Sequence, residues 1–189
     1  MTKNETKVWL NGAVVKKSLV ALYRDELPDF GDPTGFAVAT GPLLAVLARE
    51  NDFAVDGYLA VRLEDITEAE QVDDNEFVRK LLTGERVYDK VTAPRLTGCD
   101  SWHALFGGIQ ASYGGWLTVE ASSEEGSYFY LGSIARLDPN FLYLRQVDAN
   151  GTVHPEETTV PLQDIVTVGF GGRYCELYRK YVKIAPLKK

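Results

Sequence analysis

The chain has 189 residues, 45% of them hydrophobic and 25% charged, an ordinary globular balance that suits one large domain or two small ones. Its formal charge of −7 is split as 12 Lys and Arg against 17 Asp and Glu in residues 1–97, and 8 against 10 in residues 98–189. Neither half is therefore the basic surface that tracks phosphates.

Cys99 and Cys175 give no disulfide framework, and the start MTKNETKVWL lacks the charged-then-apolar layout of a secretory signal. No apolar run approaches the ~18 residues of a spanning helix. These features predict a reduced, cytoplasmic protein without a membrane span, in which the sequons at Asn4 and Asn150 carry no weight.

In chain order, alternating or continuous apolar runs predict strands at 19–25, 35–40, 43–49, 58–63 and roughly 66–71, with the Pro and Gly cluster PDFGDPTG at 28–35 as the first loop. A helical pattern carrying Phe77 and Leu81 on one face follows, its N-terminus favoured by the acidic residues at 73–76. Residues 84–100 interrupt any hydrophobic period and read as a linker. Ser101 then caps a helix over 102–113, which Gly107 and Gly108 weaken by ~1 kcal/mol each relative to alanine. Strands are predicted again at 116–121, 128–137, 141–147, 158–162 and 165–170. Asp138-Pro139-Asn140 makes a tight reversal and 148–157 (DANGTVHPEE) a longer loop, while Pro161 confines its strand to a short or edge position. A last helix places Tyr174, Leu177, Tyr178 and Tyr181 on one face, expected to pack on the sheet.

The chain says nearly the same thing twice: VRLEDITEAEQ at 61–71 and VPLQDIVTVGF at 160–170. Without a gap, Gly35 aligns with Gly132, Pro42 with Pro139, Leu44 with Phe141, Val46 with Tyr143 and Leu47 with Leu144. A two-residue loop difference then brings Asp65 onto Asp164. Five short strands linked by hairpins curl into a small barrel, because a flat sheet would leave both edges open. The expected fold is mainly β with minor α: two tandem five-stranded barrels, each followed by a short helix, in residues 1–97 (with an N-terminal extension and the linker) and 98–189. Asp65 and Asp164 are expected to be structural, each accepting backbone N–H bonds at the turn between fourth and fifth strands.

The second copy, with its helix, WLTVEA, the strand entered through Gly132, Asp138 before FLYLRQV, and the closing TTVPLQDIVTV, resembles an Sm-like (SH3-like) barrel over about 80 residues, and the first half a weaker version. The whole chain is also similar to uncharacterised bacterial proteins with an SW-containing helix and an ending like DIVTVGFGGRYCELYRKYV. The RNA site implied by the Sm resemblance requires an Asn where Leu142 stands and an Arg-Gly pair that TTVPLQD lacks, so RNA binding is not implied.

Candidate chemistry is sparse. Cys99, His103, His154 and Cys175 are the whole supply of soft metal ligands, and their spacing matches no compact zinc motif. Asp100-Ser101-Trp102-His103 holds the residue types of a hydrolytic triad, but neighbours on one helix turn do not converge as nucleophile, base and orienter. Cys175 with His154 makes a nucleophile and base only if folding joins them, and an apolar-faced helix favours an inert thiol. The acidic positions 64, 65, 68, 70, 73, 74 and 76 fail the calcium-loop pattern, since Val78 and Gly84 stand where Gly and Glu are needed. Gly169-Phe170-Gly171-Gly172-Arg173 precedes a helix without matching a phosphate-loop motif. The basic C-terminal segment, with Arg173, Arg179, Lys180, Lys183, Lys188 and Lys189, places tyrosines beside cations.

By elimination the expected function is non-catalytic: an adaptor or binding protein acting through a protein partner or as a homo-oligomer, with no cofactor and no metal. Nucleic-acid binding through the barrel is the alternative.

Overall fold

In the computed structural model, which describes residues 2–184, the apolar runs form ten antiparallel strands in one open sheet. They are β1 Leu19–Tyr23, β2 Thr34–Thr40, β3 Leu44–Asn51, β4 Ala54–Arg62, β5 Glu68–Gln71, β6 Trp116–Ser123, β7 Gly126–Leu137, β8 Phe141–Gln146, β9 Thr158–Pro161 and β10 Ile165–Phe170, in the spatial order β5-β1-β2-β3-β4-β10-β6-β7-β8-β9. Four α-helices accompany them among the described residues: α1 Lys3–Lys16, α2 Glu76–Gly84, α3 Trp102–Tyr113 and α4 Arg173–Tyr181.

The pairing registers of the two halves coincide. Gly35 lies opposite Arg49 and Gly132 opposite Gln146, and both hairpins shift register by one residue further along, between Ala37 and Ala39 and between Ile134 and Arg136. Such bulges bend a strand and increase its twist. Leu19 faces Phe36 as Trp116 faces Ser133, and Leu22 faces Ala69 as Val119 faces Val168. The two-residue offset arises between the third and fourth strands of each half. Asp52 and Phe53, at φ 49° and 61°, close a tight β3–β4 hairpin, as inter-strand twist demands. The corresponding connection in the second half is the long loop, held by an isolated bridge between Val147 and Val153.

One face of the first half buries Val20, Leu22, Ala37, Ala45, Leu47, Val61, Leu63 and Ile66 under Leu10 and Ala13 of α1. The matching positions of the second half, Leu117, Val119, Ile134, Leu142, Leu144, Val160, Leu162 and Ile165, lie in a larger core with Trp102, Leu105, Phe106 and Ile109 of α3. That core also takes in Leu19, Phe36, Val38, Val46 and Ala60 from the first half. The segment expected as a linker contributes buried Val87 and Val91 to it.

The closure of the sheet and the inward faces of two helices are corrected, and the segment before β1 gains a definite form. The sheet does not close: β4, whose outer edge an isolated barrel would turn back toward β5, pairs with β10, with Val61 opposite Thr167 and Tyr58 opposite Phe170. Residues before β1, expected as an extension, form α1, opened by a capping box in which Thr2 and Glu5 satisfy each other's donors. Its exposed Val8 and Val15 blur the apolar stripe that would reveal it. Of the residues expected to pack from α4, Tyr178 does so, with Cys175 beside it and Val182 just past the helix, whereas Tyr174, Leu177 and Tyr181 are exposed, Tyr181 at 71%. In α2 likewise Leu82 is buried and Phe77 exposed. Asn75 caps α2 by accepting from Phe77 and Val78 N–H, while Gly172, at the N-cap of α4, has no side chain to do so. Ser101 caps α3 as expected, its Oγ accepting from Ala104 N at 3.2 Å.

Candidate binding site at the seam between the halves

The β4–β10 pairing brings the two halves edge to edge, and a cleft of about 660 Å³ lies along this seam. Its walls come from the loop after β1 (Arg24, Asp32), the β3–β4 hairpin (Arg49, Glu50, Asp56, Tyr58), β6 and β7 (Thr118, Glu120, Phe129), β10 (Thr167) and the start of α4 (Gly172, Tyr174). Tyr58 stacks on Phe170 at 5.3 Å between centroids, which fixes the aromatic side of the seam. Ser127 Oγ donates to Asp29 Oδ2 at 2.7 Å and ties the β6–β7 hairpin to the loop after β1.

Arg24 is the unusual member, because it is only 3% exposed. Its Nη1 donates to Thr167 Oγ1 at 2.9 Å and its Nη2 to the Gly31 carbonyl, while Nε has no partner among the described residues. Burial pushes the guanidinium pKa down from its usual value, against the fields of Glu120, Asp65 and Asp32, yet no carboxylate among the described residues lies within ion-pair distance of it. Three acidic side chains of the cleft are instead committed to the backbone. Asp32 Oδ1 accepts from Arg24 N at 3.1 Å, Glu50 Oε1 from Phe53 N at 2.6 Å, and Asp56 Oδ1 from Arg173 N at 2.6 Å, the last acting as a cap for α4 from another strand.

The residues singled out in the sequence lie elsewhere. His103 Nε2 is 2.9 Å from the Asp138 carbonyl, which fastens α3 to the β7–β8 turn. Asp138 holds that turn by accepting from Asn140 N at 2.9 Å and Phe141 N at 2.8 Å, and these bonds, the Asn140 one first, lower its pKa. Ser101 is spent on its cap. Cys175 is buried, its Sγ near the Gly169 carbonyl, and burial pushes its thiol up to about 12, so it stays protonated at neutral pH. Cys99 is half-buried, and His154 lies in the long loop. No group of three or more His, Cys, Asp or Glu among the described residues is placed to hold a metal ion. Leu142, at the position where the Sm resemblance would require Asn, is fully buried. Lys188 and Lys189 lie outside the described residues.

The acidic stretch divides among local partners: Glu70 accepts from Tyr23 Oη at 2.8 Å and Asp73 from Tyr88 Oη at 2.7 Å. Asp65 differs from its expected role, because its Oδ2 pairs with Arg62 Nε at 2.8 Å and the turn is closed by backbone, Ile66 N donating to the Leu63 carbonyl. Asp164 occupies the matching 3-10 turn, Leu162–Asp164. Burial raises the Asp65 pKa, outweighing the Arg62 bond. A carboxyl with a higher pKa folded than unfolded binds its proton more tightly in the fold. Its ionised form therefore costs stability at neutral pH, and the cost vanishes as pH falls below the unfolded value of about 3.9. Asp65→Asn is thus expected to be at least as stable as the parent at pH 7 and to lose that relative advantage near pH 3, measured by urea unfolding at both pH values. A variant clearly weaker than the parent at pH 7 would contradict this account.

Comparison of the chain with protein families, with curated proteins and with solved structures finds no match in any of the three. The seam cleft and the two free sheet edges therefore carry the functional argument by their own chemistry. No described helix is long and apolar enough to cross a membrane.

Proposed function

We propose that the chain is a non-catalytic binding protein built from two Sm-like (SH3-like) small barrels, residues 1–97 and 98–189, each open between its fourth and fifth strands, and that it works by self-association through the edges of its sheet. The observation that carries this reading is the β4–β10 pairing. The fourth strand of one half is already matched to the fifth strand of the other, while β5 and β9, the corresponding strands at the two ends, have a strand neighbour on one side only among the described residues. An unpaired edge presents a row of backbone donors and acceptors ready for another strand.

The seam supplies the register for such an addition. Moving its pairs by the 99-residue offset of these strands, seen in Val61 and Val160 standing opposite Ala45 and Leu142, places Ala69 of one copy opposite Thr159 of the next and Gln71 opposite Glu157. No pair of like charges meets directly in that register. The contact is head to tail, so successive copies close a ring or extend a filament.

Thr159 offers a clean test. Leu162 N donates to the Asn140 carbonyl, so by the alternation of an antiparallel ladder Thr158 and Val160 face β8 and the exposed Thr159 points its N–H outward. Thr159→Pro removes an outward donor without breaking the ladder to β8. Native mass spectrometry of the parent is expected to show multiples of 21.0 kDa, and the variant to run as the monomer with its thermal melting retained. A parent monomeric at all concentrations, or a folded variant that assembles equally well, would refute the reading.

A further inference from the structure

We propose that the seam cleft binds a small organic anion, with its carboxylate or phosphate group over Arg24 and an apolar or planar body against Tyr58, Phe129 and Tyr174. The inference is independent of self-association. It begins with the cost of Arg24. A guanidinium stays protonated under all ordinary conditions, and a buried charge is tolerated when a counter-charge or a full set of hydrogen bonds compensates it. Arg24 is 3% exposed, has two neutral acceptors and an orphaned Nε, and pairs with no carboxylate of the described residues. A strut between the halves would not need a charge, because a neutral donor could bridge Gly31 and Thr167 as well. The charge has a purpose if an anion arrives from the cleft that Arg24 lines.

The remaining walls suit that ligand. Asp32, Glu50 and Asp56 each accept a backbone N–H, which holds the surrounding loops and partly offsets their charge. Exposed Arg49 adds a second guanidinium at the mouth. The first residues of the nine-residue α4 line the cleft as well, with Asp56 already accepting from Arg173 N, so the two guanidinium groups carry the attraction. Glu120 is the one lining carboxylate without a hydrogen bond among the described residues, and it opposes an anion. Phe129 is 56% and Tyr174 45% exposed, unusual for large aromatic side chains on a cleft wall and suited to covering a planar or apolar group.

Three probes test the proposal on the full chain by calorimetric titration and thermal shift: inorganic phosphate, phenyl phosphate and benzoate. Saturable binding of phenyl phosphate or benzoate is expected, and whichever binds more tightly assigns the head group as phosphate or carboxylate; inorganic phosphate, lacking the body, should bind at least tenfold more weakly than phenyl phosphate. Arg24→Met should weaken the bound probe at least tenfold; it also removes the donors to Thr167 Oγ1 and the Gly31 carbonyl, so affinity is compared only in protein shown to be folded. Glu120→Gln has the opposite sign and should tighten binding at least threefold, which keeps the test decisive if Arg24→Met fails to fold. Absence of saturable binding by all three probes, unchanged affinity in a folded Arg24→Met protein, or unchanged or weaker affinity in Glu120→Gln would overturn the proposal.

Discussion

Phe106→Ala is expected to lower the unfolding free energy by about 3–5 kcal/mol, and to do so for both halves of the sheet together. The ring is 1% exposed and stacks on Trp102 with 5.9 Å between centroids. It sits on α3, whose buried face belongs to a core shared by Leu19, Phe36 and Val46 of the first half and Leu117, Leu144 and Ile165 of the second. Truncation removes apolar contact from both sides at once and leaves a cavity between elements already tied by the β4–β10 ladder, so the surroundings have little freedom to collapse. For a chain of this size the loss corresponds to a fall in melting temperature of roughly 10 °C. Trp9, packed in the separate core beneath α1, reports on the first half, and near-ultraviolet dichroism reports on the aromatic packing of both. The two signals should move together through one transition in parent and variant. A variant in which the Trp9 signal keeps its parental midpoint would show that the halves are held by separate cores.

The second large effect concerns a pair of glycines. A Cβ on Gly35 would stand 2.5 Å from the Ala48 carbonyl oxygen, and one on Gly132 would stand 2.4 Å from the Arg145 carbonyl oxygen. Ala48 and Arg145 hold the same register position in their hairpins, one residue before the partners of the two glycines. The obstructing atom is backbone in a paired strand, so relief requires displacing the ladder next to its bulge. Gly35→Ala and Gly132→Ala should each cost about 3 kcal/mol, at the upper end of overpacking penalties and well beyond the ~0.4–1 kcal/mol that Gly→Ala gains through the unfolded chain. Gly107→Ala is the control, because nothing lies within 4 Å of a Cβ there, and in the middle of α3 it should stabilise by ~0.5–1 kcal/mol. Equal losses at Gly35 and Gly132 in urea unfolding are the expected result. Wild-type stability in either variant would mean that the close approach is readily relaxed.

Much of this was legible beforehand because it is local. Ser101 before an apolar-periodic run can cap only the helix that follows, Asp138-Pro139-Asn140 can form only a reversal, and period-two apolar runs place strands to within a few residues whatever their neighbours. The aligned glycines and prolines with the two-residue offset to Asp65 and Asp164 also anticipated the coincident registers. The face that α4 turns inward was read only in part, because Tyr178 shares a helical spacing both with Tyr174, Leu177 and Tyr181 and with Cys175 and Val182, and only the position of the sheet chooses between the two sets. Nothing in the spacing of Arg24, Glu120 and Thr167 links them, since they come from a loop and two strands that become neighbours only through long-range pairing, Glu120 opposite Thr167 across the β6–β10 ladder and Arg24 bonded to Thr167 from the other half. By itself, then, the sequence determined the strands, the helices after β5, their turns and the likeness of the halves, all of which follow from interactions between near neighbours, while α1 went unread because its apolar stripe is blurred. The tertiary structure decided which strand β4 would take as its partner, since any open edge accepts a strand through the same backbone groups. That choice of β10 left the sheet open, merged the cores beneath α3 and created the cleft that Arg24 lines.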